Sequence, residues 1–206
     1  MIERPFSELV DSLAARTPAP GGGAAGGMAA AMGSALLLMV VRFSRGKKAN
    51  AAREAELTSV EADLSALHAA ILPLAERDAQ GFEPVAAAYG LPRATPAEQA
   101  AREAAIRAGL VEAMVVPFES LRLIQRALAT VLPVADCANR SIVSDLAAGA
   151  TLLRAAAEIA LLNLRINVSL AGEGDDVLAS ARSMREDVVR QHAALCAAAD
   201  RLLAPG

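Results

Sequence analysis

Apolar residues recur every three to four positions along most of the chain, the spacing of one face of an α-helix. In residues 49–70, Leu57, Val60, Leu64 and Leu67 share one face and acidic residues occupy the other. No stretch shows the strict apolar–polar alternation of a half-buried strand. The pattern therefore predicts an all-α protein, an antiparallel up-and-down bundle of roughly seven to nine helices.

Proline, glycine and capping residues predict where these helices begin and end. A short amphipathic helix is expected over residues 5–16, and the helix over residues 49–70 should kink or end at Pro73. Thr95 and Glu98 form a capping box around a proline at the first helical position. The other predicted helices run from Leu74 to Tyr89, from Pro117 to about Leu132, briefly from Pro133, and from a cap at Ser144 or Asp145 to about Ala171. A turn at residues 172–175 precedes the last helix, which runs to Leu203.

Residues 17–48 depart from this amphipathic pattern. The segment opens with two prolines and three glycines, continues for about eighteen residues without a charge, long enough to span a bilayer, and closes with basic residues. Small residues recur every four positions in it, so another backbone can approach closely. We predict a buried central helix between a glycine loop and a basic loop, with its stop at Arg45 and Gly46. The loop glycines are Gly21, Gly22 and Gly23, and the loop lysines are Lys47 and Lys48.

A transmembrane span and a phosphate-binding loop are the alternatives for this segment. Alanine and glycine contribute little to membrane insertion, no Trp or Tyr stands at either end, and the remaining helices need a soluble core. A glycine loop before a helix can bind an anion. However, no Gly-Lys-Ser/Thr follows at the Walker spacing and no strand precedes the loop. We therefore expect neither a membrane segment nor a nucleotide-binding loop.

Composition narrows the class of protein further. The 206 residues contain no linker-like segment, so we expect a single domain over residues 1–206. Hydrophobic residues make up 54% of the chain but aromatic residues only 2%, which favours helices packed through Ala, Leu, Val and Met. The net charge of −3, with no Trp and one Tyr, argues against a nucleic-acid partner.

Cysteine and histidine usage gives no sign of a metal site or a disulfide framework. Cys137 and Cys196 lie far apart in the sequence, and His68 and His192 are equally isolated. No pair has the spacing of zinc ligands. The N-terminal segment is acidic and amphipathic, unlike a signal peptide, so we expect a cytoplasmic protein.

A few polar residues occupy positions where the pattern calls for apolar ones. Asp78 lies four residues after Leu74 and four before Phe82, on the apolar stripe of its helix. Asn163 and Asn167 share one face of a very apolar helix and need hydrogen-bond partners there. Either the asparagines clamp two helices together or they form the wall of a binding site. Asp145 is explained equally well as a helix cap.

Several motifs, taken in their order and spacing, resemble the cyclodeaminase/cyclohydrolase family of folate enzymes. The chain length is similar to that of the stand-alone methenyltetrahydrofolate cyclohydrolases of serine-cycle methylotrophs, not to that of a cyclodeaminase domain fused to a formiminotransferase. The pattern differs from the family at Ala24, Ala138 and Ser141. The motifs are PAPGGG before the small-residue helix and GKK after it, RDAQGF at 77–82, AYGLPR at 88–93, VPF at 116–118, NRSIVSD at 139–145 and LLNLRIN at 161–167.

The resemblance implies an all-α homodimer, or a dimer of dimers, with a folate site near the subunit interface. The implied reaction is hydrolysis of 5,10-methenyltetrahydrofolate to 10-formyltetrahydrofolate. Within the family the alternative is a formiminotetrahydrofolate cyclodeaminase that releases ammonia. A non-catalytic folate-binding protein or a structural helical dimer is the alternative outside enzymes. No cofactor or metal beyond the folate is implied.

The resemblance also implies roles for individual residues. Asp78 is the expected base, with Asp145 as a second acid/base or an anchor for the pterin. The three loop glycines would offer backbone N–H groups, and Lys47 and Lys48 would hold the carboxylates of a polyglutamylated tail. The remaining candidates for binding substrate are Asn139, Ser144, Asn163 and Asn167.

Overall fold

The structure, a computed structural model, describes residues 4–204. These residues form α-helices and short 3₁₀ segments and contain no strand, which confirms the predicted all-α class. The α-helices are α1 Phe6–Ala14, α2 Gly22–Ser44, α3 Glu54–Ile71, α4 Leu74–Gly81, α5 Glu83–Tyr89, α6 Pro96–Glu112, α7 Val115–Val131, α8 Val143–Ala171 and α9 Asp175–Leu203. The 3₁₀ segments are Lys48–Arg53, Leu132–Cys137 and Arg140–Ile142.

Helix α2 packs along α8 with almost no space between the two backbones. A Cβ atom at Gly33 would lie 2.9 Å from the carbonyl oxygen of Gly149, and one at Gly149 would lie 3.0 Å from that of Gly33. Farther toward the start of α2, a Cβ atom at Gly26 would lie 2.8 Å from Cγ2 of Ile159. Later residues of α2 thus contact earlier residues of α8, so the two helices are antiparallel. The distance between them depends on these glycines.

The surroundings of α2 explain why its first twenty residues carry no charge. By length and composition alone this helix could span a membrane, but more than half of its apolar window is buried inside the molecule. It contacts α3, α4, α7 and α8. Its remaining face is open, with Met32 and Phe43 exposed. The helix therefore serves as the central core element, with one apolar stripe uncovered.

The buried side chains of α2 to α9 form one continuous cluster, dominated by leucine, valine and alanine. The four apolar residues predicted to share one face of α3 belong to it, and so does Ile71 at the end of that helix. Helix α1 contributes less than its pattern indicates. Leu9 is buried there, but Phe6 and Val10, which share its apolar face of the helix, are exposed.

Several predicted boundaries were wrong. Residues 74–89 form two helices separated at Phe82, because Pro84 has no N–H to continue the first one. Helix α8 begins at Val143 with no side-chain cap, so Ser144 and Asp145 lie inside its first turn and cap nothing. Helix α7 begins two residues before Pro117. The predicted start of α3 is a 3₁₀ segment.

Candidate active site

A cleft opens where the start of α2 meets α4, α8 and the residue after α6. Its volume is about 170 Å³. Six of the residues singled out in the sequence line it: Gly21, Gly22, Gly23, Asp78, Asn163 and Asn167. The glycines do not form a separate loop, since Gly21 is the N-cap of α2 and the next two occupy its first turn. The helix start itself forms this wall of the cleft.

Asp78 lies directly against the backbone of α2. A Cβ atom at Gly23 would overlap with the carboxylate of Asp78, so the carboxylate can occupy this place only while position 23 is glycine. The N–H of Ala24 donates a hydrogen bond to the same carboxylate. Partial burial raises the pKa of Asp78, and the Ala24 hydrogen bond offsets part of that increase. A carboxylate with a raised pKa is a better proton acceptor than an ordinary aspartate.

The charge of Asp78 is not neutralised by a neighbouring cation. The adjacent Arg77 pairs instead with Glu119, with 2.6 Å between Nη2 and Oε2, and so ties α4 to α7. Within residues 4–204, no lysine or arginine forms an ion pair with Asp78. A partly buried carboxylate without a cationic partner is suited to a cationic ligand.

The two asparagines of α8 behave differently. Asn167 is buried, and its Nδ2 donates to the carbonyl of Ala113 over 3.0 Å, which fixes α8 to the α6–α7 connection. Asn163 lies one turn earlier, between the cleft and a small adjoining cavity, and contributes to the lining of both. In the described part of the chain its side-chain amide forms no hydrogen bond. Asn167 is thus a clamp, whereas Asn163 is available to a ligand.

The other predicted site residues lie at the opposite end of the α2–α8 pair. They are Lys47, Lys48, Asn139, Ser144 and Asp145. Asn50 closes this end, because its Nδ2 donates to the carbonyls of Ser44 and Cys137 over 2.8 and 2.9 Å. At 1.5 Å per residue, Asp145 and Asn163 are about 27 Å apart along α8. One chain therefore does not bring the two groups together.

The turn that carries the lysines is held by ion pairs. Glu54 accepts hydrogen bonds from the N–H of Gly46, over 2.9 Å, and from Nε of Arg45, over 3.1 Å. Both lysines are exposed, and neither forms an ion pair with a described residue. Asn139 instead accepts from the backbone N–H of Ser141 over 3.1 Å, which shapes the turn before α8.

Some residues of the cleft were missed in the sequence. Phe82 and Ile166 line it, and Ile166 is half exposed although it is apolar. Leu162, Ile166 and Leu170 form an uncovered stripe at i, i+4 spacing, which is the signal that could have identified this surface.

No group of three or more potential metal ligands occurs among residues 4–204.

Comparison with known proteins gives a consistent set of relatives. The profile of the formiminotransferase-cyclodeaminase family matches residues 5–185. The methenyltetrahydrofolate cyclohydrolase of Methylorubrum extorquens is 35% identical over 173 residues, which are 84% of this chain and 82% of the relative. The formimidoyltransferase-cyclodeaminase of Rattus norvegicus is 29% identical over 82% of this chain, which spans only 31% of that protein.

The fold also matches a solved structure. The crystal structure of formiminotetrahydrofolate cyclodeaminase from Thermotoga maritima aligns with a TM-score of 0.73 at 27% sequence identity. The alignment covers 98% of this chain and 94% of that one. The similarity therefore extends over nearly the whole of both chains.

Proposed function

Because the chain belongs to the formiminotransferase-cyclodeaminase family, we propose that it hydrolyses 5,10-methenyltetrahydrofolate to 10-formyltetrahydrofolate. The similarity to the M. extorquens cyclohydrolase supports this reaction, because it covers 82% of that enzyme. The observation that carries the proposal is the partly buried carboxylate of Asp78, which has no cationic partner in a glycine-lined cleft.

The charge of the substrate suits this carboxylate. The methenyl bridge of the substrate is a cationic amidinium, so its carbon is electrophilic and the ring carries a positive charge. Bound in the cleft, that charge would be stabilised by Asp78. Asn163, on α8, lines the same cleft and would orient the ring or the attacking water through its side-chain amide.

The reaction then needs two proton movements. Water attacks the bridging carbon, the new C–O bond forms, and Asp78 accepts one proton from the water. The hydroxyl proton of the adduct passes to N5 as the C–N5 bond breaks, which leaves the formyl group on N10. The proton held by Asp78 is released to solvent, so the net reaction produces one proton. Asp145 would serve this cleft only from a second subunit, because it lies at the far end of α8.

A homodimer is the assembly that this surface supports. The open face of α2 carries an apolar stripe at i, i+3 and i+4 spacing, and a surface of this kind in a soluble protein is usually covered by a partner. Two copies related by a twofold axis across the middle of α2 would bury the stripe of both. The stripe consists of Met28, Met32, Ala35, Met39 and Phe43.

Such a dimer would give the lysines a role. Helix α2 is about 33 Å long, and antiparallel packing brings its lysine end beside the glycine end of the partner. Lys47 and Lys48 would then hold the outer carboxylates of a polyglutamate tail bound in the other subunit. We expect a cytoplasmic enzyme that needs no cofactor beyond the folate.

The cyclodeaminase reaction is the second candidate, and the match to the T. maritima structure favours it. In that reaction N10 attacks the formimino carbon, and ammonia leaves after protonation. Asp78 could supply that proton because burial raises its pKa. The two reactions differ in whether water enters or ammonia leaves, so their products distinguish them.

The test is the loss of the near-ultraviolet absorbance of 5,10-methenyltetrahydrofolate, corrected for spontaneous hydrolysis. We expect clear acceleration by the protein, and Asp78→Asn should reduce it by roughly 10²–10⁴-fold because the base is lost. Asp63→Asn, which changes an exposed carboxylate on α3, is the matched control. Turnover that survives Asp78→Asn would refute the assignment. Ammonia release from formiminotetrahydrofolate without hydrolysis of the methenyl compound would favour the second candidate.

A further inference from the structure

The cleft is too small for a complete folate. Sites that enclose drug-sized ligands measure roughly 300–1,000 Å³, whereas this cleft measures about 170 Å³. The cleft has room for the ring system that reacts, so the p-aminobenzoate and glutamate of the bound substrate must extend outside it. Ile166 marks one exit, because it lines both the cleft and a neighbouring groove.

That groove runs between α8 and α9 and is larger than the cleft. Its volume is about 510 Å³. Leu162, Ile166 and Leu178 give it an apolar floor, and Ser169 lies at its far end. The α8 positions from 162 to 169 extend over about 10 Å, at 1.5 Å per residue. This is a suitable length for one aromatic ring and the glutamate attached to it.

Two arginines line the groove, one from each helix: Arg165 on α8 and Arg182 on α9. Neither forms an ion pair with any residue in the described part of the chain. Arg185, the next α9 arginine along the chain, is by contrast paired with Glu158 over 2.7 Å. The groove contains one carboxylate, Asp175, so its lining carries a net positive charge. An arginine fork matches a carboxylate through two parallel hydrogen bonds.

We propose that this groove is the subsite for the p-aminobenzoyl-glutamate part of the substrate. The aromatic ring lies on Leu162 and Ile166, and Arg165 and Arg182 bind the two carboxylates of the first glutamate. The inference rests on the proposed function, because it takes the ligand to be a folate. It assigns the first glutamate to the same chain that holds Asp78.

A pair of ligands that differ only in the glutamate tests the subsite. Tetrahydrofolate and tetrahydropteroate share the ring and the p-aminobenzoate, but the second has no glutamate. Affinities of both are measured by calorimetry for the wild-type protein, Arg165→Ala, Arg182→Ala and the double variant. Arg201→Ala is the control, because it removes an exposed arginine of α9 about 28 Å from Arg182.

We expect the wild type to prefer tetrahydrofolate by about tenfold or more, since charge-assisted hydrogen bonds are among the strongest polar contacts. The double variant should lose this preference and keep its affinity for tetrahydropteroate, which also shows that it is folded. Arg201→Ala should retain the preference. Raised ionic strength should reduce the preference in the wild type and leave the double variant unaffected.

Three results would overturn the inference. They are a preference that persists in the double variant, a wild type without any preference, and a preference that Lys47→Ala removes instead. The readout is binding, so it is independent of the proposed reaction. A protein that binds tetrahydrofolate through the two arginines but hydrolyses nothing would refute the proposed function and support the subsite.

Discussion

At the scale of single residues, the carboxylate of Asp78 occupies the space that a side chain at position 23 would need. Gly23→Ala should therefore displace the carboxylate and break its hydrogen bond with Ala24. We expect turnover to fall by at least about tenfold, because a misplaced catalytic group is inefficient. Gly22→Ala is the matched control, since a Cβ atom there meets no neighbour within 4 Å.

The comparison of the two glycine variants depends on rates measured with folded protein. Circular dichroism and the thermal midpoint should be the same for both. Equal turnover in Gly23→Ala and Gly22→Ala would mean that the position of the Asp78 carboxylate is unimportant for the reaction.

The burial of Asp78 also predicts how stability depends on pH. Its pKa is raised in the folded state, so folded protein binds a proton at this site more tightly than unfolded protein does. The resulting stabilisation is present below the unfolded pKa and is lost as the pH rises through the folded pKa. Asp78→Asn removes the ionised form, so we expect the variant to be more stable than the wild type at neutral pH.

Thermal midpoints of Asp78→Asn and the wild type, recorded across the acidic range, would test this. The difference between them should shrink as the pH falls through the folded pKa of Asp78. Asp63→Asn, at an exposed position, should show no such trend. A wild type that is the more stable protein at neutral pH would contradict the argument.

Some residues of the candidate site could be identified from the sequence and others could not. Asp78 and Asn167 stood out because each breaks an apolar pattern, and both contact another part of the chain in the structure. Arg165 and Arg182 did not, because an unpaired arginine in a groove and a solvated arginine look the same in sequence. Only the pairing of α8 with α9 brings these two together.

At the scale of helices, the α2–α8 contact depends on the absence of two side chains. Gly33→Ala would bring its Cβ within 2.9 Å of a backbone carbonyl, which cannot move without separating the helices. We expect a loss of about 1–3 kcal/mol in the free energy of unfolding, as is usual for overpacking. Urea denaturation would measure it.

Gly81→Ala provides the contrast, because a Cβ atom there meets nothing within 4 Å. At this helical position alanine should be neutral or stabilising by up to about 1 kcal/mol. If Gly33→Ala proved no more harmful than Gly81→Ala, the backbone contact would not determine the helix spacing.

Helices were predictable where one local signal dominated. The capping box at Thr95 and Glu98 forms as expected, with both reciprocal hydrogen bonds. The failures involve competing signals. The apolar stripe continues through Phe82, but Pro84 divides the predicted helix into two. Ser144 is a good capping residue, but the turn formed by Asn139 lets α8 begin before it. Such competition is decided by tertiary packing.

At the scale of the whole molecule, the predicted site residues fall at two ends of one helix pair. If each site is shared by two subunits, one subunit supplies Asp78 to it and the other supplies Lys47. Asp78→Asn and Lys47→Ala then remove groups that come from different subunits. Mixing the two variants under conditions of subunit exchange should then restore activity on a polyglutamylated substrate, because one intact site forms in each mixed dimer. Steady-state rates of the mixture and of each variant alone would measure this.

The matched control for that experiment is a mixture of Asp78→Asn with Asp78→Ala, which has no intact site in any combination. A mixture of Asp78→Asn and Lys47→Ala that is no more active than its components would contradict a shared site. From the sequence alone, all these residues are candidates for one site, because the order of the motifs does not show which subunit supplies each residue.

The contact between Gly23 and Asp78 also has a consequence for the history of the family. A side chain at position 23 forces the carboxylate at position 78 out of its place, so a chain that depends on Asp78 is expected to keep glycine at position 23. A descendant that kept this fold but abandoned the chemistry would be free to fill the gap. A residue larger than glycine at position 23 would then identify such a chain before any assay.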